Sequence, residues 1–335
     1  VHRIPYPPNK GDKIRSYHLL RYLAERYDVY LGAFVDDPAD FAHADTLRQW
    51  CSDVFLDPLG SLRSRLRMLT GLVNGQPLSV AAYRSIAMRR WVRRTARTTG
   101  ARRFVAFSTA MAQYADSMPA DTRRVLDMVD VDSDKWRQYG ERRRGPVAAI
   151  YRREARRLLA CERAAAANHD RVTLVSGAEA DLFRQRAPES ADRLLAVSNG
   201  VDCAYFQPST EYANPYARGV RAIVFTGAMD YWPNVDAVTW FANEVLPGVR
   251  SAWPEAVFHI VGIRPTPAVQ ALARQPGVAV IGAVPDMRPW LAHAQLIVAP
   301  LRVARGIQNK VLEGFAMGRP VLATPHALEG LELGS

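Results

Sequence analysis

The stretch LIVAPLRVARGIQNKVLEGFAMGRPVLAT, residues 296–324, decides the fold. An apolar run, Leu296–Ala299, stops at Pro300, and a basic, glycine-bearing loop follows. A segment of helical period then starts near Ile307, and Gly318-Arg319-Pro320 turns the chain into a second apolar run, Pro320–Ala323. Strand, crossover helix and strand make the βαβ unit, and strands that are apolar on both faces belong to a parallel sheet covered by helices on both sides.

The same alternation extends back along the chain. Ala222–Thr226, Val257–Val261 and Val278–Ile281 are the further strand candidates of this series, with helices starting near Asn234, Pro267 and Met287. An earlier series contains Val29–Val35, Asp53–Leu56, Phe104–Phe107, Val125–Val129, Val172–Val175 and Leu194–Val197, with helices predicted over 12–26, 61–73, 85–99 and 133–168. Gly145-Pro146 breaks or kinks the last of these, because proline cannot continue a helix interior. A polar, proline-containing stretch from Asp202 to Gly219 reads as a linker. Two βαβ series joined by a linker predict an α/β protein of two Rossmann-like parallel-sheet domains facing across a cleft, residues 1–205 and 206–335.

Composition fits this division. At 335 residues the chain is longer than one core usually carries, and 48% hydrophobic content excludes a disordered chain. No stretch has the roughly 18 uncharged apolar residues of a membrane-spanning helix. Cys51, Cys161 and Cys203 are too few and too scattered for a disulfide framework or a zinc site, which points to a reducing, cytoplasmic compartment. The net charge is +11, and from residue 201 onward acidic and basic residues balance, so the whole excess lies in the first 200 residues. Only Lys10, Lys13, Lys135 and Lys310 are lysines, so part of the arginine abundance reflects coding bias.

Ligands of open α/β sheets bind at the carboxyl ends of strands, where glycine admits close approach and helix N-termini offer free N–H groups. Three segments have that form: Pro7–Asp12 around Gly11, Phe225–Ala228 around Gly227, and Ala299–Glu313 around Gly306. The dinucleotide and P-loop glycine patterns are absent, yet a phosphate-bearing ligand is still favoured. In the third segment Arg305, Gly306, Asn309 and Lys310 would meet a pyrophosphate, and Glu313 would accept two ribose hydroxyls. The competing reading is a solvated ion pair between Lys310 and Glu313, one helical turn apart.

The run Gly306–Thr324, with its Glu-bearing helix and Gly318-Arg319-Pro320-Val321-Leu322-Ala323-Thr324, resembles the donor-site signature of glycosyltransferase family 4. Asn199-Gly200-Val201-Asp202 matches that family too. Pro5–Tyr17, Asp127–Trp136 and Phe225–Asp236 are most similar to the sugar transferases of the PEP-CTERM/exosortase exopolysaccharide system. The resemblance implies a GT-B fold, a nucleotide-sugar donor in the second domain, an acceptor in the first, retention at the transferred carbon, and neither metal nor cofactor. It also implies that the C-terminal domain is truncated by one strand and a final helix. Two positions depart from the family. Arg305 stands eight residues before Glu313, where a second Glu is usual, and Gly227 is followed by Ala228-Met229-Asp230-Tyr231 rather than by the usual Arg and Lys. Arg305 and Lys310 are then expected to neutralise the phosphates.

Asp130-x-Asp132-x-Asp134 admits four readings: a metal-binding DxD, an EF-hand-like loop with Glu141, a cleft-facing catalytic Asp130 with Asp132–Asp134 capping the next helix, or plain capping and solvation. The cleft reading is favoured, with Asp130 near the reacting carbon. Arg63, Arg65 and Arg67 beside Leu62, Leu66 and Leu69, together with Arg89, Arg90, Arg93, Arg94 and Arg97, suggest docking on an anionic membrane, with a solvated helix face as the alternative. The resulting expectation is a metal-independent, retaining, hexosyl-type transferase at the inner face of a bacterial membrane, acting on a polyprenyl-linked or other glycan acceptor and not on nucleic acid. The alternatives are a nucleotide-sugar 2-epimerase on the same fold, or a basic nucleic-acid or membrane-surface binding module.

Overall fold

The computed structural model describes residues 1–8, 11–60, 67–68, 71, 74–304 and 307–331. The chain divides into two compact units, Val1–Val197 and Ser198–Ser335. The division falls after Val197 rather than after Tyr205, because Tyr205 and Tyr212 are held within the second unit by Arg288, whose guanidinium lies 4.1 Å and 5.5 Å from their ring centroids. The linker segment is thus fastened to the unit it introduces.

In the first unit the strands are β1 (Tyr30–Val35), β2 (Asp53–Pro58), β3 (Arg103–Phe107), β4 (Arg123–Val129), β5 (Arg171–Leu174) and β6 (Leu194–Ala196). β1 pairs with β2, and β3, β4, β5 and β6 form a separate sheet in that order. All of these pairings are parallel. The larger core gathers Phe34, Trp91, Leu126, Met128, Leu174 and Phe183, and a smaller one holds Ile4, Leu20, Leu31 and Leu47.

Local chemistry explains the helices around these sheets. Ser85 accepts a hydrogen bond from the Met88 amide and caps helix Ile86–Thr99, and Gly100, at φ 70°, closes it. That helix buries Met88, Trp91, Val92, Thr95 and Ala96 and leaves Arg90, Arg93, Arg94 and Arg97 exposed. The long helical stretch is broken where expected: Asp132–Arg142 and Pro146–Ala167 are separate helices, with Gly145 at φ 75° and Pro146 in the first turn of the second. Arg63 and Arg65 lie outside the described residues.

The second unit contains β7 (Arg221–Thr226), β8 (Ala256–Val261), β9 (Val278–Gly282), β10 (Leu296–Ala299) and β11 (Val321–Ala323) in the spatial order β11-β10-β7-β8-β9, all parallel. The chain order reverses between β7 and β10, the switch point at which open α/β sheets bind ligands. Val224, Phe225, Phe258, Ile260 and Val298 are fully buried, which accounts for the uninterrupted apolar runs of these strands.

Candidate functional site

At the carboxyl ends of β7 and β8 the backbone itself sets the geometry. The Gly227 N–H donates to Val261 O (3.1 Å), and the Gly262 N–H donates to Gly282 O (2.8 Å). A Cβ on Gly262 would lie 1.7 Å from Gly227 O, and one on Gly227 would lie 2.8 Å from Asn234 Nδ2. Both positions therefore require glycine for close approach. Asn234, buried in helix Trp232–Trp240, donates Nδ2–H to Ala228 O (2.9 Å) and so ties the loop after β7 to that helix.

Lys310 reaches the same place from helix Asn309–Ala316. Its ammonium donates to Asn234 Oδ1 (3.3 Å) and stands 5.0 Å from the centroid of the Phe225 ring. Among the described residues it forms no ion pair, so the solvated Lys310–Glu313 pair considered above is not formed. Burial lowers the Lys310 ammonium to about 8, with the Glu313 charge acting in the opposite direction. Burial likewise raises the Glu313 carboxyl to about 7, and the Lys310 charge opposes this. Cation and carboxyl are thus both held near neutrality by desolvation, without a direct contact between them. An incoming anion would meet an ammonium that no carboxylate among the described residues has claimed. Asn309 is the first residue of this helix and is half-buried. Arg305 and Gly306 lie outside the described residues.

Sequence reasoning named Gly227, Lys310 and Glu313, and Phe225 within the segment Phe225–Ala228, but did not single out Asn234, Gly262 or Arg264 as site residues. Arg264 has a left-handed backbone (φ 53°) and pairs with Asp230 at 3.0 Å, on the loop beside the Asp230 segment where arginine was expected and not found. The Val261-Gly262 strand end was the available signal for Gly262. Nothing local marks Asn234, whose role depends on two other elements.

In the first unit Gly11 opens helix Gly11–Ala24 and is exposed. Asp130 follows the last residue of β4, Val129, whose φ is 69°. The Asp130 N–H donates to Met128 O (3.0 Å), closing a γ-turn, and the β4–β5 register slips at the same point. Across the ladder Ser108, just beyond β3, has φ 77° and ψ 151°, a region almost reserved for glycine. Its N–H donates to Asp127 O (2.8 Å). Two adjacent strand ends are therefore strained, each by about 1–3 kcal/mol.

Buried charge surrounds this strained edge. Arg15 grips Asp127 bidentately (Nε–Oδ2 2.8 Å, Nη2–Oδ1 3.1 Å) and also donates to Val197 O (2.7 Å). Glu179 Oε2 accepts from the Val131 N–H (2.8 Å), and Glu162 accepts from both the N–H and the hydroxyl of Ser133. Burial raises the Asp130 carboxyl to about 7; the charges of Glu179 and Asp132 add to this, while Lys135 and Arg15 oppose it. Burial also raises Glu162 to about 8.

These contacts correct the expectation that Asp132–Asp134 cap the following helix. Helix Asp132–Arg142 has no side-chain cap of its own, and its first N–H groups are satisfied by Glu179 and Glu162 from distant segments. Asp134 is occupied by Arg137 (2.7 Å), Gln138 (3.2 Å) and Arg186 (3.6 Å). Among the described residues no group of three His, Cys, Asp or Glu side chains is arranged to hold a metal. In the second unit His259 lies edge-on to Tyr216 with centroids 4.7 Å apart, and His293 Nε2 is 2.6 Å from Tyr212 O, so both rings are engaged in packing and hydrogen bonding there.

Two parallel-sheet α/β units of this kind make the GT-B fold, and solved structures bear it out. HepE from Anabaena, in complex with UDP and glucose, is similar with TM-score 0.63 and 14% identity, over 99% of this chain and 82% of that one. WaaG, a glycosyltransferase involved in lipopolysaccharide biosynthesis, has TM-score 0.63 and 15% identity over 97% and 80% of the two chains. A glycosyltransferase from Rickettsia africae has TM-score 0.59 and 11% identity over 96% and 79%. Within this fold, residues 220–333 match the family described as Glycosyl transferases group 1. The second unit is therefore similar to that family in sequence as well as in fold. A search of curated proteins found no match.

Proposed function

We propose that the protein is a glycosyltransferase that moves a hexosyl group, with retention, from a nucleotide-diphosphate sugar to a lipid-linked exopolysaccharide acceptor. The observation that carries the reading is a coincidence of place. The segment matching the glycosyl transferases, 220–333, contains the Gly227–Gly262 contact, Asn234 and Lys310, which meet at the carboxyl ends of β7 and β8, the edge at which open α/β sheets bind ligands, and Glu313 lies one helical turn from Lys310. That HepE binds UDP and UDP-glucose supports a uridine nucleotide as the first donor to try.

The chemistry follows from the charges. As the bond from the sugar C1 to the diphosphate breaks, the electron pair leaves with the phosphate oxygen, and an acceptor hydroxyl oxygen bonds to C1 and loses its proton. Charge grows on the diphosphate, so an ammonium held in place by Asn234, with no carboxylate partner among the described residues, stabilises the transition state more than the ground state. Lys310 is that ammonium, and Glu313 accepts the ribose hydroxyls. Asp130, with a carboxyl that titrates near neutrality, serves the acceptor side as a proton-exchanging group. Phosphate neutralisation by Lys310 and helix N–H groups needs no divalent ion.

The acceptor type rests on the likeness of Pro5–Tyr17 and Asp127–Trp136 to the PEP-CTERM-associated transferases. No helix among the described residues is long and apolar enough to cross a membrane, and the exposed Arg90, Arg93, Arg94 and Arg97 offer reversible attachment to an anionic leaflet.

A thermal-shift series with UDP, GDP and ADP, with and without EDTA, tests the reading. A ligand that prefers the folded state raises Tm, by the equivalent of about 2.7 kcal/mol at a hundredfold excess over Kd. Stabilisation by one nucleoside diphosphate that survives EDTA is expected. No response to any of the three, or a response only with added Mn²⁺, would refute it.

A further inference from the structure

Residues 142–157, RRRGPVAAIYRREARR, hold seven arginines and one acidic residue. They form the turn and the first half of the second helix in a hairpin of Asp132–Arg142 and Pro146–Ala167. The one carboxylate is already engaged. Glu154 is buried and accepts from the Leu78 N–H (2.8 Å), the Ser79 N–H (2.9 Å) and the Ser79 hydroxyl (2.7 Å). Arg143, Arg144, Arg152, Arg156 and Arg157 are exposed. Among the described residues the arginines of this hairpin that form ion pairs are others, Arg137, Arg153 and Arg163. Five guanidinium groups therefore crowd one small surface with no carboxylate paired to them, and an anionic partner would relieve their mutual repulsion.

Apolar side chains are exposed in the same place. Val147 and Ile150, three residues apart at the start of the second helix and so on one face of it, are 47% and 46% exposed. Between the two helices the half-buried rings of Trp136, Tyr139 and Tyr151 lean on one another, with centroids 5.2–6.2 Å apart. Tryptophan and tyrosine are the side chains that settle at headgroup depth. Helix Ile86–Thr99, by contrast, exposes arginines and, beyond its first two residues, no hydrophobic side chain.

We propose that the tip of this hairpin docks on an anionic lipid bilayer, with Arg143, Arg144, Arg152, Arg156 and Arg157 among the lipid phosphates and Val147 and Ile150 in the acyl boundary. A nucleic acid would satisfy the guanidinium groups and leave the two apolar side chains in water, whereas a bilayer satisfies both. The inference rests on the membrane attachment proposed above and assigns it to a surface, with helix Ile86–Thr99 adding charge alone. The root of the hairpin gives this tip its use. Ser133, three residues after Asp130, donates its N–H to Glu162 (3.0 Å), and farther out a Cβ on Gly140 would lie 3.0 Å from Arg152 Cγ, so the helices run antiparallel from the Asp130 edge to the tip. The first helix, 11 residues, spans about 16 Å. A glycan whose lipid is held at the tip has only that distance to cover to reach Asp130.

Sedimentation with sucrose-loaded vesicles of phosphatidylcholine, with and without phosphatidylglycerol, tests the proposal. The parent chain is expected to bind the anionic vesicles and not the neutral ones, and to bind less as salt rises. Arg143→Gln combined with Arg144→Gln and Arg152→Gln should weaken binding at least about tenfold, since each arginine near the surface is worth about fivefold. Val147→Ser with Ile150→Ser should weaken it at least about threefold and leave its salt dependence unchanged. Arg90→Gln with Arg93→Gln and Arg94→Gln should weaken it less than about threefold. All the changed side chains are exposed, so Tm should move by no more than a few degrees.

Binding to neither vesicle, binding that the tip variants leave unchanged, or a larger loss from the Arg90 variant overturns the proposal. So does RNA binding tighter than vesicle binding, lost with the tip arginines and indifferent to Val147 and Ile150. Stabilisation by a nucleoside diphosphate, measured on the same proteins, reports on the transferase reading separately, so a failure of docking and a failure of that reading are told apart.

Discussion

At the ends of β7 and β8 the chain turns through glycine, and at the ends of β3 and β4 it turns through Ser108 and Val129. The first pair brings two backbones together at little conformational cost, and its polar side chains, Asn234 and Lys310, are few and mutually bonded. The second pair forces residues with a Cβ into positive φ and holds them by buried carboxylates: Asp127 on Arg15, Glu179 on the Val131 N–H, and Glu162 on Ser133. A glycine edge shapes a surface for a ligand backbone or phosphate. A strained, charged edge fixes one carboxyl, Asp130, in one position and near one protonation midpoint. Strain of this kind persists only where the surroundings over-determine it.

The largest expected effect breaks the glycine side. Gly262→Ala puts a methyl where Gly227 O stands, 1.7 Å from the added carbon, so the two strand ends must separate. A loss of about 3 kcal/mol in the stability of the second unit is expected in urea denaturation. A loss below about 1 kcal/mol would show that the two loops yield freely and that close approach is not what shapes this edge.

Next in size, Glu313→Gln keeps the shape and removes the charge. If the carboxylate accepts ribose hydroxyls, nucleoside diphosphate binding weakens by roughly 1.5–3 kcal/mol in calorimetry. Unchanged affinity would remove Glu313 from the ligand set and leave Lys310 and Asn234 as its polar part.

The smallest effect probes the strained side. Burial holds the Asp130 carboxyl at about 7 in the folded state against an ordinary value of 3.8, so between those values the folded state binds more protons than the unfolded one. Stability therefore falls as pH rises through that window. Asp130→Asn should be more stable than the parent above pH 7, by on the order of 1 kcal/mol given the partial exposure of the carboxyl. The difference should vanish toward pH 4. A variant less stable than the parent at pH 8 would mean that the ionised carboxylate is welcome at this edge.

Much of this architecture was legible because parallel strands buried on both faces are written as continuous apolar runs. Every strand lies within two residues of its expected start, and Gly145-Pro146 marked the helix break because its chemistry is local. Features that depend on distant partners were not legible. Helix Gly177–Arg186, absent from the sequence reading, supplies Glu179 to a backbone N–H 48 residues away. The caps of helix Asp132–Arg142 were assigned to its own aspartates, whereas the tertiary fold provides glutamates. Lys310 and Glu313 sit one turn apart, a spacing that suggests a pair, but the position of Asn234 draws the ammonium elsewhere. The loop after β7 was legible as a glycine pattern, and Gly262 was visible only as a strand end, because it is the register of β7 against β8 that sets the two together.

One contact has a mechanical consequence. Arg15, near the beginning of the first unit, holds Asp127 at its centre and the carbonyl of Val197, its last residue. Tension applied through the connecting chain at Ser198 would be met at once by this guanidinium and passed to β4, bypassing the short edge strand β6. Arg15 thus acts as a strain relief at the exit of the first unit, so that pulling on the tether between the units loads the middle of the sheet before it can peel the edge.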